Sequence, residues 1–467
     1  RVEEIREQVV ALRDGSLEAA RDRTEVGVGL RVVHGGSVGF AATADLSTDA
    51  AASLAAQAVE AARVVASAQR RPVELAPEPP HGTVTWTSPH RVDPVDVPQA
   101  DKVARLEAWS RRLLDAPGVD HVAAAVQAVS ETKVYGDLAG THATQRRVRV
   151  HPHLVATALD DAGGFETMRT VAPPVGRGWE YLDGEGWDWD AELDRLPEQL
   201  AEKLASPSVE PGRYDLVIDP TNLWLTIHES IGHATELDRA LGYEAAYAGT
   251  SFATPDGLGS LAYGSDVVHV VGDRTQEHGL ATVAIDDEGV EAQSFDLIRD
   301  GVLAGYQLDR ATAAVAGRDR SNGCAFADSP LHVPIQRMAN VSLQPAPGDG
   351  PSTEELIGGV ERGLYVVGDR SWSIDMQRYN FQFTAQRFYR IERGRLVGQL
   401  RDTAYQGTTT EFWGSVEAVG GRSTYLLCGA FNCGKGQPGQ VAPVSHGAPS
   451  VLVRGVNVLN TKAEGGR

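Results

Sequence analysis

Two imidazoles flank a carboxylate in the hexapeptide His228-Glu229-Ser230-Ile231-Gly232-His233. Neutral imidazole is a good zinc ligand, and a carboxylate beside the metal can take a proton from bound water. The combination points to metal-assisted hydrolysis. In the common H-E-x-x-H motif the two histidines are four apart and share a helix face. Here they are five apart, about 140° around a regular helix. Both reach one metal only if the turn is widened, as in a π-bulge, and Gly232 is a natural place for that distortion.

The elements around the motif read clearly. Tyr214–Ile218 is a short buried strand. Asp219 is a good N-cap and Pro220 suits the first helical position. Leu223, Ile227, Ile231, Ala234 and Leu241 recur at helical spacing, and Gly242 can end the helix. His228 falls one residue off this apolar stripe.

A catalytic zinc site needs a third protein ligand and an open position. The residues alone offer Cys433, Cys428, Cys324, Glu236, His269 and His278, and spacing does not choose among them. Cys433 lies in the glycine-rich run Asn432-Cys433-Gly434-Lys435-Gly436, where Lys435 would help lower the thiol pKa. Gly429-x-x-x-x-Gly434-Lys435 imitates a phosphate-binding loop. Gly436 stands where Ser or Thr is needed, so nucleotide binding is not expected. His151-x-His153 shares a strand face and could bind metal, but reads as a solvated or packed pair. For an oxyanion the chain offers Tyr243, Tyr247 and Arg337 without choosing among them.

The chain has 467 residues, 42% hydrophobic and 23% charged, enough for two or three soluble domains. A net charge of −20 argues against a nucleic-acid partner. No apolar run approaches a membrane span, and the acidic opening segment does not read as a signal peptide. Three cysteines without a paired framework suit a reducing, cytoplasmic setting.

Residues 2–22 predict a helix, with Val2, Ile5, Val9 and Leu12 on one stripe. Strands are expected over Val26–Val33 and Ser37–Thr43, and a helix capped by Ser47 over 48–69. A helix follows over 99–115, then antiparallel strands between His121 and Ala172, then a helix from Ala191 to Ala205. Ser206–Gly212 is the best boundary, giving domains 1–210 and 211–467. Asp300-Gly301 and Arg393-Gly394 signal hairpins.

The run His-Glu-Ser-Ile-Gly-His-Ala-Thr-Glu-Leu-Asp at 228–238 resembles the zinc motif of the TldD/PmbA family, on its metal-bearing TldD side. The likeness continues through Asp286-Asp287-Glu288-Gly289, Leu297–Leu303, Arg337–Asn340, Gly363–Val366 and Cys433-Gly434-Lys435. It also takes in Val28–Thr43. The segment Gly368–Gln377 departs from the family pattern and could reshape the cleft.

The resemblance implies a zinc metallopeptidase with His228, His233 and Cys433 as ligands and Glu229 as general base. It implies an α+β protein of two domains: an N-terminal antiparallel sheet with helices, and a strand-rich C-terminal domain carrying the zinc helix. It further implies a dimer, either with a metal-less TldE/PmbA-like paralogue or with a second copy, that cleaves small unfolded polypeptides or precursor peptides. Two other readings are a zinc hydrolase of a small-molecule or natural-product amide, and a regulatory binding protein with structural zinc. Glu229 beside the histidines argues against the last, since a closed structural site needs no base.

Overall fold

Three tight Asp-Gly or Arg-Gly turns, each with two consecutive residues at positive φ, fix the first-order layout. They are Asp14-Gly15 (51° and 75°), Asp300-Gly301 (50° and 73°) and Arg393-Gly394 (48° and 72°). This is the requirement of the two-residue hairpin turn whose twist matches the flanking strands. The last two turns meet the expectation from sequence. The first overturns one: residues 2–22 are not a helix but the strands Val2–Arg13 and the start of Ser16–His34, paired antiparallel across Asp14-Gly15. The alternation was hidden because the first strand lies between two long neighbours and buries polar side chains with partners. Glu3 meets Lys133 at 2.9 Å, and Gln8 donates to Asp22 at 2.8 Å and accepts from Lys102.

The computed structural model describes residues 1–69, 71–160, 163–436 and 438–464. Its first sheet runs in the order 37–43, 16–34, 2–13, 121–136, 142–159 and 83–87, with 165–169 also paired to 142–159. All pairings are antiparallel except that of Thr83–Thr87. The helices Thr48–Ala66, Gln99–Leu114 and Trp189–Ala205 accompany it. Ser47 caps the first by accepting from Ala50 N, as expected.

In the second half five strands close on themselves in the order 362–374, 212–218, 451–460, 403–408, 380–392 and back to 362–374. Only the 212–218 and 362–374 pair is parallel. The hairpin Leu426–Lys435 with Gln440–Ala448 stands as a separate two-stranded ribbon. The architecture is thus mixed α+β and strand-rich. Apolar packing falls mainly into two clusters. One draws on residues from Val10 to Leu200, the other on residues from Val209 to Val458 together with Ala76. Among the described residues no helix is long and apolar enough to cross a membrane.

The acidic run 286–288 joins the two halves through ion pairs. Lys133 reaches Asp287 at 2.7 Å, and Arg31 pairs with Glu288. His151 and His153 pack with ring centroids 5.1 Å apart, His151 also lying against Phe431. Burial pushes the His151 imidazole down to about 3, so it stays neutral within the packing.

Candidate metal centre

The strand Gly212–Ile218 delivers the chain to Asp219, whose carboxylate accepts from Thr221 N and starts the helix Pro220–Ile227. The regular helix stops there. His228–Gly232 forms one π turn, closed by His233 N donating to His228 O at 3.0 Å. The five-residue spacing demands this widening. It sets the two imidazole centroids 4.6 Å apart. The helix therefore does not run unbroken to Gly242. The chain turns after His233, and a one-turn helix Leu237–Ala240 precedes Gly242, whose φ is 86°.

A widened turn exposes carbonyls that a regular helix would pair. Gln307 donates to Gly232 O at 2.7 Å, and the Tyr263 hydroxyl donates to Ser230 O. A side chain at 232 would meet the Met338 sulfur at 2.7 Å. Glycine here serves close approach to the end of the Met338 side chain rather than an unusual φ.

Cys433 arrives from the ribbon Leu426–Lys435, at an irregularity in its pairing between Ala430 and Cys433. Its Sγ lies 3.5 Å from His233 Nε2. One donor atom each from His228, His233 and Cys433 falls within 4.8 Å of the others, and all three residues are buried. The remaining candidates lie apart from this group among the described residues. Cys324 and Cys428 are buried free thiols, the former pushed up to about 12 by burial. His269 pairs with Asp296, and His278 lies against Gly176 O. Glu236 does not join the donors but supports one of them. Gln437 lies outside the described residues.

Partners behind the donors fix which nitrogen is free. His446 Nδ1 lies 2.9 Å from Val341 O, and its Nε2 lies 2.7 Å from His228 Nδ1. A carbonyl only accepts, so the neutral His446 carries its hydrogen on Nδ1. His228 must then donate from Nδ1, which leaves its Nε2 lone pair bare. His233 Nδ1 faces Glu236 Oε2 at 2.9 Å, which likewise frees Nε2 toward Cys433. Such outer hydrogen bonds orient metal-binding histidines.

Electrostatics agree with this donor set. Burial lowers the pKa of both His228 and His233, keeping them neutral. Burial alone would raise the Cys433 thiol, but His233 and Arg337 outweigh it and hold it below the usual value. Lys435 plays a different part from the one expected. It is occupied by Asp238 at 2.9 Å, by Glu236 at 3.3 Å and by Gln336. Burial opposes ionisation of Glu236, yet Lys435, His233 and Arg239 keep it well below the carboxylate range. Two soft or borderline nitrogen donors and one thiolate suit zinc, and three donors leave a position open.

Glu229 is buried beside the donors, and its Oε2 accepts from Arg378 Nη1 at 2.6 Å. Of the oxyanion candidates, Tyr243 and Tyr247 are exposed, while Arg337 is fully buried and donates to Gln440 O and Cys433 O. Arg337 thus braces the thiol loop. His446 and Arg378 were not found from sequence. Each lies in a strand or turn with nothing local to mark it.

Replacing His446 with Phe should remove the acceptor that orients His228. Metal affinity is expected to fall about 10- to 100-fold, the usual cost of losing such a partner. A competition titration against a chelator measures this, and unchanged affinity would exclude the His446 relay.

A family model for the PmbA/TldA metallopeptidase C-terminal domain matches residues 211–460, and one for domain 1 of the same proteins matches residues 1–62. A protein of Methanothermobacter thermautotrophicus named metalloprotease is 30% identical, covering 97% of this chain and 93% of its own. The chain belongs to the TldD/PmbA metallopeptidase family. A zinc metalloprotease TldD homolog of Saccharolobus solfataricus is 27% identical over 58% of this chain and 57% of its own. The fold is shared with a solved Thermotoga maritima protein (TM-score 0.75, 17% identity, 98% and 95% of the two chains). It is shared too with TldE from Thermococcus kodakarensis (TM-score 0.69, 17% identity, 98% and 95%).

Proposed function

We propose that the chain is a zinc-dependent peptidase of unfolded polypeptides, with His228, His233 and Cys433 holding the metal and Glu229 as general base. The observation that carries this reading is the donor triad beside a carboxylate that has one oxygen engaged by Arg378 and the other free of any hydrogen bond among the described residues. Zinc, when bound, would supply Lewis acidity to a water and to a carbonyl. Glu229 would take the proton from the water and pass it to the leaving amine. The neutral histidines and the lowered thiol hold the donors ready. Glu236 and His446 keep the two imidazoles from rotating.

Restricted access supports this substrate class. His228, Glu229, His233 and Cys433 are each no more than 6% exposed, so a bulky folded surface does not reach them. An extended chain does, and its main chain can pair with strand edges without regard to sequence. We assign the layout as two domains, 1–210 and 211–467, the second carrying the metal helix. We assign the working form as a dimer, with a metal-less TldE-like partner or a second copy. Three unpaired thiols fit a reducing compartment such as the cytoplasm.

Digestion of one small protein in native and denatured forms tests the reading. It is run before and after chelation, with zinc restored, and with sedimentation of the active species. Cleavage of the denatured form alone, lost on chelation and regained with zinc, by a dimer, is expected. Equal cleavage of both forms, or full activity of a monomer, would contradict it.

A further inference from the structure

The turn joining the strands Arg362–Ile374 and Asn380–Glu392 is built with unusual care for a surface connection. The Asp375 carboxylate accepts from Gln377 N, Tyr379 N and Asn380 N at 3.1, 2.8 and 3.0 Å, and from the Asn380 amide. From outside, Thr250 N donates to Met376 O at 2.7 Å and Phe252 N donates to Gln377 O at 2.9 Å. The Thr409 hydroxyl donates to Arg378 O at 2.8 Å. Within this frame Arg378 closes a turn, its N donating to Asp375 O at 3.1 Å, and has φ 64°, left-handed as Arg393 is in its own turn.

The bonded turn directs Arg378 inward. Its side chain is 13% exposed, its Nη1 lies 2.6 Å from Glu229 Oε2, and its Nη2 lies 3.2 Å from Ala248 O. Its Nε is buried without a hydrogen-bond partner among the described residues. Nothing else among the described residues hydrogen-bonds the Glu229 carboxylate. We propose that Arg378 is the positioning residue for Glu229, holding Oε2 so that Oε1 is the oxygen presented to the attacking water. This rests on the peptidase reading above. The planar fork ties the carboxylate to the backbone of the 243–249 loop in one step, and a lysine ammonium does not span both acceptors.

The test uses the zinc-loaded full chain in its active assembly, with R378A and R378K beside wild type. For R378A, kcat is expected to fall about 10²-fold, the scale of a misplaced reacting group, with KM within a few-fold and zinc content unchanged. Guanidinium ion at tens of millimolar should restore R378A at least about tenfold while leaving wild type and E229Q unmoved, the scale expected when a positioned proton-transfer group regains its geometry. R378K, which keeps the charge, should remain impaired. Full activity of either variant would overturn the proposal. So would an R378A that is folded and zinc-loaded yet gains nothing from guanidinium, because that pattern marks a structural role. Should R378A lose its metal, the activity of R378K decides. A wild-type chain that is zinc-loaded and inactive would instead remove the peptidase reading itself.

Discussion

Glu229→Gln should keep its zinc and lose about 10²- to 10⁴-fold in hydrolysis, the range for a removed general base. Glutamine has the same shape and can still accept from Arg378, so the buried pair is replaced by a hydrogen bond rather than by a void. The variant lacks only the basic oxygen. Metal analysis beside kcat on an unfolded peptide separates the possibilities. If zinc falls in step with activity, Glu229 is a ligand or an anchor and another group accepts the proton.

Cys433→Ser should lose most of its metal, whereas Cys324→Ser should keep it. The contrast is informative because both thiols are buried and free. They differ in surroundings. Cys433 lies 3.5 Å from His233 and is held below its usual pKa, while Cys324 is pushed up to about 12. Only the first is disposed to be a thiolate, the form that binds metal. Serine at 433 offers a hydroxyl that keeps its proton near neutrality. Equal zinc content in wild type and Cys433→Ser would take Cys433 out of the site.

How much was legible in the sequence varies with the range of the interactions. The five-residue spacing of His228 and His233 required a widened turn, and the π turn is there. Asp-Gly and Arg-Gly pairs marked two hairpins because their φ requirement is local. The Asp14-Gly15 pair carried the same signal. It was outweighed by an apolar stripe at helical spacing, in a strand that buries Glu3 and Gln8 instead of alternating cleanly. Cys433 could not be chosen from spacing, since it comes from a ribbon 200 positions beyond His233. His446, 218 positions from His228, and Arg378, 149 positions from Glu229, enter only through sheet pairing and a turn. Lys435 was read beside the thiol because it follows it in sequence. Alternation puts Cys433 and Lys435, two positions apart, on one strand face, but the Lys435 ammonium is taken up by Glu236 and Asp238 instead of the thiol.

The central claim is an open site of three protein donors, two imidazoles and one thiolate. X-ray absorption at the zinc edge of the loaded chain measures it most directly. The account predicts two nitrogen neighbours at about 2.0–2.1 Å, one sulfur at about 2.3 Å and a single light oxygen neighbour from solvent, with the sulfur shell vanishing in Cys433→Ser. A zinc spectrum without sulfur, or one with four protein donors and no solvent oxygen, would contradict it.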